Sequence, residues 1–251
     1  MAVYDRDYYR QPNPSGVGQM RMWSANTWLI IINVAVFVID SALRGHVVYH
    51  QQINGELVAF NDMGPLTAFG HFSMLLAVQK FEIWRFITFQ FLHAGLTHIA
   101  FNMIALYFFG PLVESYLGMR RYIAFYLLCG IGGPIAYILL WSSGLLITAS
   151  WVPLVGASAG IFGVLIAAAQ IAPRATVLLY GILPMQLKTL AWVLLGIAVY
   201  TVLFYGSSNR GNAGGEAAHL GGAAVGYLLM RNPKLLNVFE LGLSRRRPPP
   251  F

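Results

Sequence analysis

Four polar side chains stand inside stretches of sequence that are otherwise apolar: His98, Asn102, Ser158 and His219. Polar groups at membrane depth are costly unless they pair or work, so each is a candidate for function. A serine and a histidine are the makings of nucleophilic catalysis. The imidazole takes the hydroxyl proton as general base and returns it to a leaving amine, while the serine oxygen attacks a carbonyl. His98 and Asn102 are four residues apart and project from one face of a helix. Together with the backbone N–H of Ser158 they could donate hydrogen bonds to a tetrahedral oxyanion. Each residue also has a plainer reading, since an isolated His or Asn in a membrane helix commonly serves as an interhelical strut.

Ser158 is the centre of Gly156-Ala157-Ser158-Ala159-Gly160. A Gly-x-Ser-x-Gly is weak alone, and the nucleophile elbow it resembles needs a strand-turn-helix setting that an apolar helix does not supply. The same glycines form a small-xxx-small seam, and Ala218, Gly222 and Gly226 form a second one around His219. The two seams are expected to pack on each other, with Gly156 and Gly160 as supporting residues, so that hydroxyl and imidazole come within hydrogen-bond reach. Glu216, three residues before His219, reads as a first-turn acid complementing a helix dipole rather than as a third catalytic member.

The elements that must position these groups follow from composition. Of 251 residues 57% are hydrophobic and 10% charged, against roughly 25% charged in soluble domains. The expected spans are Thr27 to Leu43, Leu96 to Leu112, Tyr122 to Trp141, Val155 to Ala172, Leu187 to Tyr205 and Ala217 to Met230. A long connection from Arg44 to His93 lies partly in the interface, and Asp40 is spaced to pair with Arg44. Residues 1–22 read as a disordered tail, and residues 232–251 as a basic, Pro-rich one. Twelve of the sixteen Lys and Arg residues fall in the tails and in the connections after spans two and four, leaving Arg44, Lys80, Arg85 and Arg210 on the other side. The excess puts both termini in the cytoplasm. Spans two, four and six then enter from the outer face, which places all four candidates on the order of 5 to 10 Å below it, within reach of water.

The net charge of +7 is dispersed over ends and connections, which argues for topology rather than nucleic-acid binding. The single cysteine, Cys129, lies in an apolar run, so no disulfide framework or Cys-rich metal site is expected. There is no His-Glu-x-x-His and no Gly-x-Gly-Asp. No cofactor and no metal is called for.

Taken in order, Glu82-Ile83-Trp84-Arg85, the run His93-Ala94-Gly95-Leu96-Thr97-His98-Ile99-Ala100-Phe101-Asn102, Gly110-Pro111-Leu112-Val113-Glu114, Gly156 to Gly160 and Ala218-His219-Leu220-Gly221-Gly222 resemble the rhomboid intramembrane serine proteases. The resemblance spans the whole set of helices. It implies an all-α membrane protein, a six-transmembrane-helix bundle over residues 23–231 with a long membrane-embedded first loop. It implies Ser158 as nucleophile and His219 as base without an acidic third member, with His98, Asn102 and the Ser158 N–H as the oxyanion hole. His93 and Phe162 would support the site, Phe162 by packing on the His219 ring. Trp84 and Arg85 would mark the first loop, Glu114 would be a structural acid, and Gly206 to Gly215 would form a mobile cap. Substrates would be transmembrane proteins cut at or near a span weak enough to unwind, in a multi-pass protein of a bacterial inner membrane. The competing readings are a catalytically inactive rhomboid-like protein that binds membrane clients, and a small transporter, against which no inverted repeat is evident.

Overall fold

A computed structural model describes residues 23–45, 49–53, 56–60, 63–179, 182–208 and 211–240. The expected tail at 1–22, the basic end at 241–251 and Arg210 lie outside them.

The first helix, α1 (Ala25–Leu43), starts at Ser24, whose Oγ accepts the Thr27 N–H at 3.1 Å. A short antiparallel hairpin follows, β1 (Tyr49–Ile53) and β2 (Glu56–Phe60), with Tyr49 opposite Phe60. The rest of the first connection carries α2 (Pro65–Gly70), one π-helical stretch (Met74–Gln79), α3 (Arg85–Thr88) and a 3-10 turn (Phe89–Phe91). Then come α4 (Leu96–Leu117) and α5 (Met119–Ser142), separated only by Gly118 at φ +79°. Next is α6 (Ser158–Ile171), followed by a second hairpin of β3 (Thr176–Leu179) and β4 (Leu183–Gln186). The chain continues through α7 (Leu187–Tyr205) and α8 (Ala213–Arg231) to a 3-10 stretch at Pro233–Glu240.

The fold is mostly helical, as expected, and the two short hairpins are additions that the all-α reading did not include. Both occupy connections rather than spans, where local pairing satisfies backbone groups that a helix would otherwise have to satisfy. Helices occur in all six segments read as spans, but only four of those described, α1, α4, α5 and α7 with its 3-10 extension, are long and apolar enough to cross a membrane on that ground alone. The fourth, α6, has 14 residues, about 21 Å at helical rise, short of a hydrocarbon core of about 30 Å. It is apolar on nearly every face and lies at the centre, in contact with α4, α5, α7 and α8, as an all-round hydrophobic helix should. The last, α8, is rich in Gly and Ala because it must approach α6 and α5 closely.

The glycine seams are in a different register from that expected. A Cβ on Gly222 would run into the Ala159 carbonyl, and one on Gly226 would lie 2.6 Å from the Gly163 Cα. The face of α6 turned to α8 is therefore Ala159 and Gly163, while Gly160 faces Tyr126 of α5. Helical geometry offers several small faces around α6, and sequence spacing alone does not say which neighbour takes which. Of the segment read as a mobile cap, Ala213 to Gly215 belong to α8. Likewise Pro233–Glu240 is folded, with Leu236 fully buried.

Buried and half-buried acids and bases tie the frame together. Glu114 near the end of α4 accepts the Ala25 and Asn26 N–H groups at 2.7 and 3.0 Å, satisfying first-turn donors of α1. Asp40 accepts from the Leu66 and Thr67 N–H groups at the start of α2 and from the Thr67 hydroxyl. Arg85 donates to Glu82 and to the carbonyls of Ala68 and His71, which folds the first connection onto itself.

Candidate functional site

Ser158 is the first residue of α6, so its backbone N–H has no intrahelical acceptor and the positive end of the helix dipole lies beside its side chain. The turn that delivers it is built by Gly156, at φ +136°, where a Cβ would also stand 2.8 Å from His98 Nε2. Only glycine meets both demands. The first connection holds this turn in place: Phe72 and Leu154 exchange backbone hydrogen bonds at 3.0 and 2.7 Å, and the Gly156 N–H donates to the Phe89 carbonyl at 3.0 Å.

On α8, His219 Nε2 lies 2.8 Å from Ser158 Oγ, and its other nitrogen, Nδ1, lies 2.8 Å from Glu216 Oε2. A carboxylate only accepts, so Nδ1 donates and the Nε2 lone pair is left to accept the serine hydroxyl. The ring stacks on Phe162, with centroids 4.2 Å apart and planes 9° from parallel. Phe162 is one turn after Ser158, so a single helix supplies both the hydroxyl and the surface that holds the imidazole flat.

The two remaining candidates approach from α4. His98 Nε2 faces the Gly156 turn, while His98 Nδ1 lies 3.5 Å from the Ala94 N–H, a long contact that favours the proton on Nε2. Asn102 is buried, and its Nδ2 has no acceptor among the described residues. A buried orphan donor is uncommon and asks for an explanation. His93 stands edge-on to His98, with ring centroids 5.1 Å apart. Burial, then the neighbouring His98, lowers its pKa to about 3, so it is neutral at physiological pH.

Residues 80–231 match the family model described as Rhomboid domain. The chain belongs to the rhomboid family. Its relatives include Rhomboid protease GluP of Bacillus subtilis (strain 168), 35% identical over 166 residues, 64% of this chain and 28% of that protein. RHOMBOID-like protein 6, mitochondrial, of Arabidopsis thaliana is 29% identical over 178 residues, 64% of this chain and 56% of the relative. Rhomboid protein 1, mitochondrial, of Saccharomyces cerevisiae is 33% identical over 144 residues, 55% of this chain and 38% of the relative. The aligned part thus covers 28% to 56% of these relatives' lengths. Family and apolar helices together make this rhomboid an integral membrane protein.

Ser158, His219, Phe162, His98 and His93 are therefore brought together around the Gly156 turn, and Asn102 is buried on α4 one turn after His98. Gly160 is not part of this group: it serves the contact with α5 one turn away. Sequence reasoning missed the hydrogen bond that His219 donates to Glu216. The signal was present in the three-residue spacing, which puts both side chains on one face of α8.

Proposed function

We propose that this rhomboid is an intramembrane serine endopeptidase that cuts transmembrane proteins at or near a membrane-spanning segment, with Ser158 as nucleophile and His219 as general base. The observation that carries the reading is the 2.8 Å separation of Ser158 Oγ and His219 Nε2 at the N-terminus of a buried helix. Ser158 Oγ attacks the scissile carbonyl carbon as its proton passes to His219 Nε2. The oxyanion then accepts hydrogen bonds from the Ser158 N–H, His98 Nε2–H and Asn102 Nδ2–H, and the orphaned state of Asn102 Nδ2 is what such a role requires. Collapse of the intermediate releases the amine, which takes the proton back from His219. Water repeats the sequence on the acyl-enzyme and restores the serine.

Glu216 departs from the dyad the resemblance implies. In our reading its carboxylate is a positioning group that fixes the His219 tautomer and offsets the charge on the imidazolium as it forms, supported by the 2.8 Å contact. The spans and their orientation belong to the same proposal. Six crossings, with residues 23–231 as the protease domain, follow if α6 and α8 cross in a locally thinned or protein-filled layer. Both termini on the cytoplasmic side follow from the distribution of Lys and Arg. A multi-pass protein of a bacterial inner membrane is part of the same proposal.

The test is fluorophosphonate labelling of the purified protein in detergent, with mapping of the modified residue, alongside cleavage of a reconstituted transmembrane substrate. Label on Ser158 that is lost in Ser158→Ala and His219→Ala, together with loss of cleavage, is expected. Cleavage that survives Ser158→Ala removes the assignment. Wild-type protein that binds the substrate without cutting or labelling selects the inactive client-binding reading.

A further inference from the structure

A trench of about 800 Å3 opens between α6, α7 and α8, running from the end of the bundle opposite Ser158 up to Leu220, the neighbour of His219. Its walls are apolar, built from Trp192 and Leu195 of α7, Ile166 of α6, and Leu220 and Ala223 of α8. Its mouth is not. Lys188, at the start of α7, and Arg231, at the end of α8, both line it. Arg231 directs Nε to the Tyr227 hydroxyl at 3.2 Å and lies over that ring at 5.3 Å, which holds the guanidinium at the rim. Among the described residues no carboxylate lines the trench to neutralise the two cations.

We propose that this trench binds one anionic phospholipid, its phosphate between Lys188 and Arg231 and an acyl chain along α8 toward Leu220. Two observations select this occupant. The first is charge: two cations at the mouth of an apolar slot between membrane helices complement a phosphate, and basic pockets of that kind recognise lipid headgroups. The second is length. From Leu220 to Arg231 the helix rises by eleven residue steps, about 16 Å, which matches one leaflet of a hydrocarbon core about 30 Å thick. A lipid held here braces α7 against α8, the helix that carries His219.

The experiment uses the full chain, delipidated in detergent, and reads lipid binding by native mass spectrometry and thermal stability. Phosphatidylglycerol is the probe, with phosphatidylcholine and inorganic phosphate as controls. One phosphatidylglycerol per protein is expected, with a higher melting temperature. Lys188→Gln with Arg231→Gln should weaken it by on the order of 30-fold, as two lost surface charges imply. Ala224→Phe, at an exposed trench position, should block the slot with both cations kept, and serves if the charge variant does not fold. Equal binding of phosphatidylcholine, an equal effect of inorganic phosphate, or displacement of the lipid by a transmembrane substrate peptide would each overturn the assignment. None of these outcomes depends on Ser158, so the protease reading stands or falls separately.

Discussion

Asn102 separates two roles that a buried amide could play in a membrane helix. An interhelical strut is hydrogen-bonded in the resting protein; Asn102 Nδ2 has no acceptor among the described residues. Asn102→Ala is therefore expected to lower kcat by about 100-fold, the usual cost of one oxyanion donor, without lowering the melting temperature, because an unmade hydrogen bond contributes no stability. A lower melting temperature with unchanged turnover would assign it to structure. Glu216 is judged by kinetics too. Its side chain is only 19% exposed and His219 14%, so Glu216→Gln should lower kcat about tenfold with KM unchanged, and Glu216→Asp should recover part of the loss. A change in KM alone would remove Glu216 from the positioning role.

At the scale of elements, the site depends on how closely α8 approaches α6. Gly222 lies on the Ala159 carbonyl, next to Ser158. Gly222→Val should cost about 1 to 3 kcal/mol by overpacking and separate His219 from Ser158. A lower melting temperature accompanied by loss of fluorophosphonate labelling is the expected result. Gly156→Ala should act differently. The turn is strained for any Cβ, and the methyl would press on His98, so labelling and turnover should fall further than the roughly 1 kcal/mol of stability that local strain implies. A melting shift with full activity would place Gly156 outside the site.

For the whole molecule, the first connection couples acid to stability. His71 is buried beneath Arg85 and donates through Nδ1 to the Thr67 carbonyl. Burial lowers its pKa to about 4 in the folded protein, with Arg85 adding to the effect. The unfolded chain, with a value of about 6.5, takes up the proton first as pH falls. Stability should thus be constant above about pH 6.5 and decline by roughly 3 kcal/mol as pH drops to about 4. Thermal unfolding in detergent at pH 7.5, 6 and 5 measures this, and His71→Gln should flatten the slope. Because the same connection holds Leu154 and Gly156 through Phe72 and Phe89, labelling of Ser158 should fall over the same range.

Much of this was legible in the sequence. A polar residue in an apolar run is costly enough to be conspicuous, so Ser158, His219, His98 and Asn102 announced themselves, and helical periodicity set the α4 pair on one face. The apolar segments were bounded to within a few residues because their length is set by lipid, a local property of composition. What pairs across the fold was decided only in three dimensions. Ala159 and Gly163, not Gly156 and Gly160, meet α8, because helix packing selects one of several small faces and spacing along the chain does not distinguish them. Glu216 turned from a helix-dipole acid into a partner of His219 because rotamers, set by neighbours such as Phe162, decide whether side chains on one face touch. The hairpins and the trench at Lys188 and Arg231 also came from tertiary structure, since each is defined by segments distant in sequence or by connections with no apolar period to read.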